Sequence, residues 1–153
     1  MSRANDQEDH QMQKSALVGL AFVLGSAVAG PANAQDYTLS SGAIGAEQIA
    51  RGEEAFQSNC SGCHGTDLRS VDSNAPDLRG PSFKFSWVGF PLVDKFHVIS
   101  QTMPPGMGGS LGDQAYVDIM AYILSVNGIE PGQEGELPAD ETVLSEIEIL
   151  ASE

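Results

Sequence analysis

Cysteine is scarce in this chain: Cys60 and Cys63 are the only two among 153 residues. A scaffold framed by several disulfides is thereby excluded. Histidine is nearly as rare, with His10, His64 and His97. A zinc site built on the two cysteines would need further ligands, and beside His64 only His10 and His97 remain to supply them. Basic side chains are few: 7 Lys and Arg stand against 21 Asp and Glu, a net charge of −14. Such a surface repels nucleic acid and anionic lipid and favours a basic partner, although a plain solvated acidic face fits the charge equally well. Long apolar runs are missing too, since the stretch Ala16 to Ala29 is too short for a comfortable membrane span. No internal repeat and no convincing strand pair is visible.

That apolar stretch is followed by Pro31-Ala32-Asn33-Ala34 and then polar Gln35-Asp36, the form of a secretory segment with an A-x-A cleavage site. Residues 1–34 are therefore expected to be a signal peptide, cut between Ala34 and Gln35. The first residues carry Asp6, Glu8 and Asp9 against Arg3, whereas such segments begin positive. Starting at Met12 places Lys14 before the apolar run, so Met12 is the expected true start. An uncleaved anchoring helix is the alternative. After cleavage no stable membrane span is expected, and five basic side chains face eighteen acidic ones in residues 35–153. That length suits one small domain.

What is present is concentrated in Cys60-Ser61-Gly62-Cys63-His64. Cys-x-x-Cys-His is the pattern for covalent attachment of a c-type haem. Each thiol forms a thioether to a porphyrin vinyl group, and the histidine lies beneath the iron as its proximal ligand. A redox dithiol would want a βαβ context, which the pattern lacks.

Around the motif, apolar spacing predicts helices over Glu47–Phe56, over Leu92–Ser100 and over a segment holding Ala115, Ile119, Tyr122, Ile123 and Val126. Ser110-Leu111-Gly112-Asp113 reads as the N-cap of the last helix, and Asn127-Gly128 as its stop. Gly52 is costly inside a helix and predicts close approach of another element. The stretch from Gly65 to Asn74 is polar and expected to be an exposed loop.

The order Ala50-Arg51-Gly52, Phe56, Cys60-x-x-Cys63-His64, Pro76-Asp77-Leu78, Met103-Pro104-Pro105 and a tyrosine-containing last helix resembles the class I monohaem cytochromes c, from about residue 44 to 128. The resemblance implies an all-α cytochrome c fold, with three main helices packed around one covalently attached haem. It implies that Gly52 and Phe56 meet the Ile119–Tyr122 face. It also implies a soluble periplasmic electron carrier, not an enzyme, occupying residues 44–128 after a short segment 35–43. The loop Met-Pro-Pro-Gly-x-Gly-Gly is similar to that of modules accepting electrons from periplasmic quinoprotein dehydrogenases.

For the second axial position a thioether is soft, uncharged and favours ferrous iron. Met103 is the expected distal ligand, because two prolines fix the backbone after it and it matches the family's methionine. Met107, His97 and an open iron site are the alternatives, while Met120 reads as helix core. By the same resemblance the Pro76 carbonyl accepts from the ligating imidazole, and Leu78 lies on the porphyrin. Trp87 and Arg79 are further expected neighbours, as donors to a haem propionate; plain core and a pairing with Asp77 are their alternatives.

Residues 129–153 hold eight acids and no Lys or Arg. Either this extension is a frayed acidic tail, or its aliphatic residues pack on the haem domain and its acids present a docking surface. Val143, Ile147 and Leu150 share a helical face, whereas Ile147 and Ile149 alternate as in a strand. The partners expected are a periplasmic dehydrogenase with a basic docking face and a terminal oxidase or other acceptor. Two other readings stay open: a tightly bound haem subunit of a dehydrogenase complex, and a haem enzyme or gas-binding protein.

Overall fold

The computed structural model describes residues 37–152. The expected secretory segment 1–34 and the alternative start at Met12 lie outside the described residues.

Helix α1 (Ala46–Asn59) turns Gln48, Gly52 and Phe56 inward at intervals of four residues, so one face is buried. Helix α5 (Asp113–Val126) is buried on almost every side, from Tyr116 through Leu124. The two helices cross where Gly52 meets the backbone of Asp118 and Ile119, and a methyl group at Gly52 would collide with the Asp118 carbonyl. One turn further on, the rings of Phe56 and Tyr122 lie 5.4 Å apart at 53°. The contact expected of Gly52 and Phe56 is therefore present, and it depends on a residue without a side chain.

Between these helices run the single turn α2 (Ser61–His64), α3 (Pro81–Trp87) and α4 (Leu92–Thr102). Aromatic packing joins them to the core: Phe83 stacks on Trp87 at 5.4 Å, and Tyr37 meets Phe83 edge-on at 5.5 Å. Among the described residues no helix is long and apolar enough to cross a membrane.

Three expectations are corrected. Ser110 does not cap α5; Gly112, at φ +80°, holds that position, with Asp113 in the first turn. Left-handed backbone there favours glycine, and the acid supplies the negative charge that the helix start attracts. The loop from Gly65 to Asn74 is not wholly exposed, because Leu68 is fully buried at φ +65°. A strand pair does exist: β1 (Tyr37–Leu39) runs antiparallel to β2 (Ile149–Ala151), with Tyr37 opposite Ala151. Its two halves lie at opposite ends of the domain sequence, so no local pattern announces it.

The C-terminal extension is a strap and not a frayed tail. Leu137, Leu144, Ile147 and Ile149 are buried, whereas Val143 and Leu150 are 40% and 41% exposed. Of the two readings of this segment, the strand alternation is the one present, after a short α6 (Glu141–Ser145) capped by the Asp140 side chain. Gln48 holds the strap by reading both sides of one peptide position: it donates to Leu137 O at 2.9 Å and accepts from Leu137 N at 2.9 Å. Arg51 completes the clamp, bridging Asp118 at 2.9 Å and Glu136 at 2.7 Å. Farther along, Gly89 N donates to Ile149 O and Leu92 N to Ile147 O, each at 2.8 Å. The strap thus fastens the junction of α3 and α4 from behind.

Candidate haem site

Cys60 ends α1, its N–H donating to Phe56 O at 2.8 Å. Its carbonyl then accepts from Cys63 N at 3.2 Å and His64 N at 3.0 Å, which winds the motif into one helical turn. Residues three and four apart on such a turn share a side, so both sulphurs and the imidazole face one region. Gly65 closes the turn at φ +73°, packed so tightly on the Arg69 carbonyl that a side chain would not fit.

The next segment is folded back by Leu68. Its carbonyl accepts from Leu78 N at 2.8 Å, bringing Pro76 and Leu78 alongside His64. Pro76 O lies 2.9 Å from His64 Nδ1. A carbonyl only accepts, so Nδ1 carries the hydrogen and Nε2 keeps its lone pair free. That is the tautomer an iron ligand needs, and burial of the ring to 8% exposure restrains its orientation.

These residues open onto one cavity of about 370 Å³, lined by Cys60, Cys63, His64, Pro76, Leu78, Trp87 and Met103 among others. Its size falls in the range of small-molecule and cofactor sites. Phe56 comes from α1, Val98 and Ile99 from α4, and Ile119 and Ile123 from α5, so all three main helices supply apolar wall. Met103 stands at the end of α4, followed by Pro104 and Pro105, which also line the cavity. The alternatives to Met103 lie elsewhere: Met107 is 57% exposed and His97 Nε2 is 3.2 Å from Glu141, while Met120 is core, as expected.

Arg79 is placed away from the cavity lining. Its Nη1 donates to Asp67 O at 3.1 Å. Asp77 does not pair with it either, but accepts from Ser70 N at 2.7 Å. Lys95, which the sequence pattern did not single out, lines the cavity with its Nζ 4.9 Å from the centre of the Phe90 ring. Burial holds its ammonium below the usual lysine range, and Asp94 offsets this only in part. An anionic group beside it would reverse that shift. Ile99, Ile119 and Ile123 also line the cavity, and their only signal in sequence is an aliphatic residue at helical spacing.

Does this lining suit a haem? Burial, with Cys63 adding to it, pushes the Cys60 thiol up to about 11. This is the opposite of the acidic thiolate that a redox dithiol uses. Among the described residues no three His, Cys, Asp or Glu gather to hold a bare metal ion. An apolar slot with two thiols, one oriented imidazole and one thioether fits an iron porphyrin by its donor set.

A family model described as cytochrome C oxidase, cbb3-type, subunit III matches residues 47–123. No curated protein and no solved structure matches significantly. The matched span runs from the first turn of α1 to the last turn of α5 and contains every cavity-lining residue. The chain therefore belongs to this cytochrome c family, whose domain holds haem c and serves electron transfer.

Proposed function

We propose that this protein is a periplasmic carrier of single electrons, with one haem c joined to Cys60 and Cys63 by thioethers and its iron held between His64 and Met103. The observation that carries the reading is the shared cavity: His64, fixed through Pro76 with Nε2 free, and Met103 line the same apolar space. A haem c bound there supplies one-electron ferric–ferrous chemistry. The chain's own residues do the rest. His64 and Met103 would be the two residues that hold its iron, leaving no position open to a substrate. Met103, through a neutral sulphur, would favour the reduced state and raise the potential. Leu78, Ile99, Ile119 and Ile123 would keep water from the macrocycle. Trp87 and Lys95 are the polar donors for its carboxylates, in place of Arg79.

The excess of acidic side chains supports a partner with a basic docking face; the reading places a periplasmic dehydrogenase as donor and a terminal oxidase as acceptor. The A-x-A segment supports export. A ferric absorption spectrum tests the ligation: the native protein should show the sulphur-to-iron charge-transfer band, and Met103→Ala should lose it. Ready carbon monoxide binding by the reduced native protein would instead point to an open iron site.

A second reading is a haem subunit held permanently in an oxidase or dehydrogenase complex. It is favoured by the description of the matched family, which names an oxidase subunit. Purification from native membranes separates the two. A free carrier elutes alone, whereas a subunit remains with its larger partner.

A further inference from the structure

Met103 begins a loop that ends at Gly112, where α5 is entered. Its first residue is held from outside its own helix: Tyr116 Oη, near the start of α5, donates to Met103 O at 2.8 Å. Tyr116 is 1% exposed, so the donor side of this bond is buried, while Met103 on the accepting side is half-buried. The far end of the loop is pinned back onto α4. Gly109 N donates to Ser100 O at 2.6 Å, and Gly108 lies so close over Gln101 that a methyl group would strike the Gln101 carbonyl. The loop is therefore gripped at both ends, by α5 and by α4.

We propose that Tyr116 and the Gly108–Gln101 contact form a latch on the Met103 loop, one that sets how readily an outside ligand displaces Met103 from the iron. The inference rests on the Met103 ligation proposed above. Tyr116 acts as a positioning residue, because its hydroxyl meets the peptide carbonyl and not the sulphur. For the sulphur to leave, the loop must swing away, and in doing so it strands a buried hydroxyl. Tyr116→Phe keeps the ring and its packing but leaves the Met103 carbonyl without this donor while the loop is closed. Both effects shift the balance toward the open loop.

The test is an imidazole titration of the ferric, haem-loaded protein, followed by loss of the sulphur-to-iron band. Tyr116→Phe should bind imidazole about tenfold more tightly than the native protein, the size of one buried hydrogen bond. Gly108→Ala should move the affinity in the same direction. Tyr122→Phe, a hydroxyl deleted elsewhere on α5, should leave it unchanged. If both tyrosine variants merely melt earlier with native imidazole affinity, the latch is overturned and Met103 stands as the ligand. If the native protein lacks the band, the ligand assignment fails and takes the latch with it.

Discussion

The stretch from residue 59 to 105, which supplies most of the cavity wall, and the strap from 129 to 151 are built by different rules. This stretch carries its chemistry in side chains at set spacings, and its charges cancel: Arg69, Arg79, Lys84 and Lys95 stand against Asp67, Asp72, Asp77 and Asp94. The strap has acids and no bases, and no residue of it lines the cavity. What it supplies is five buried aliphatic side chains, Ile129, Leu137, Leu144, Ile147 and Ile149, and a series of backbone hydrogen bonds. The lesson is a division of labour, in which one region binds and the other fixes the geometry of the binder. It follows that slower electron transfer after strap deletion would say nothing about docking, because the wall itself loses its support.

Removing residues 131–151 should break this comparison most severely. Four side chains lose their burial, each contributing about 1.5–3 kcal/mol, against a total stability of about 5–15 kcal/mol for a domain. The expected outcome is a chain without a cooperative thermal transition by circular dichroism. A normal transition would show the strap to be dispensable.

Next in size is Gly52→Val, which forces apart α1 and α5 at the Asp118 carbonyl. Overpacking of this kind costs about 1–3 kcal/mol and more where backbone must move, read as a lower urea midpoint.

Asp118→Asn sharpens the comparison at the clamp. Burial pushes the Asp118 carboxyl up, but hydrogen bonds from Arg51, Gln114 and Gln48 outweigh it and hold the group below the usual carboxylate range. Folding thus favours the ionised form. Its contribution is complete above the ordinary value of 3.8 and is lost as the pH falls through the lower, folded-state value. The variant should lose about 1–3 kcal/mol near neutrality and show a shallower decline in stability on acidification. A pH series of urea unfolding curves checks both.

The smallest effect belongs to Glu141→Gln, which removes the His97 contact between α4 and α6. Both side chains are well exposed, so less than about 0.5 kcal/mol is expected in the same unfolding assay. A larger loss would make the strap's surface charges structural as well as its buried residues.

Much of the site was legible in sequence because its chemistry is local. Cys60, Cys63 and His64 share one helical turn whatever surrounds them, and Met103 is marked by the prolines that follow it. Gly52 was readable because a glycine inside a helix implies a neighbour. Leu68, Lys95 and Tyr116 were not, since their roles depend on which distant segment folds against them. Arg79 shows the reverse error: a guanidinium near the motif in sequence turns away to a backbone carbonyl. Ser110 shows how a plausible cap pattern yields to a glycine that takes left-handed backbone at lower cost.

By itself the sequence determined the cofactor chemistry and the main helices, because thiol spacing and helical periodicity act over a few residues. Only the tertiary structure decided that Tyr116 donates to the Met103 carbonyl and that the acidic end is a strap closing a sheet with Tyr37–Leu39. Each of those joins residues far apart along the chain, and such pairings exist only once the core has brought them together.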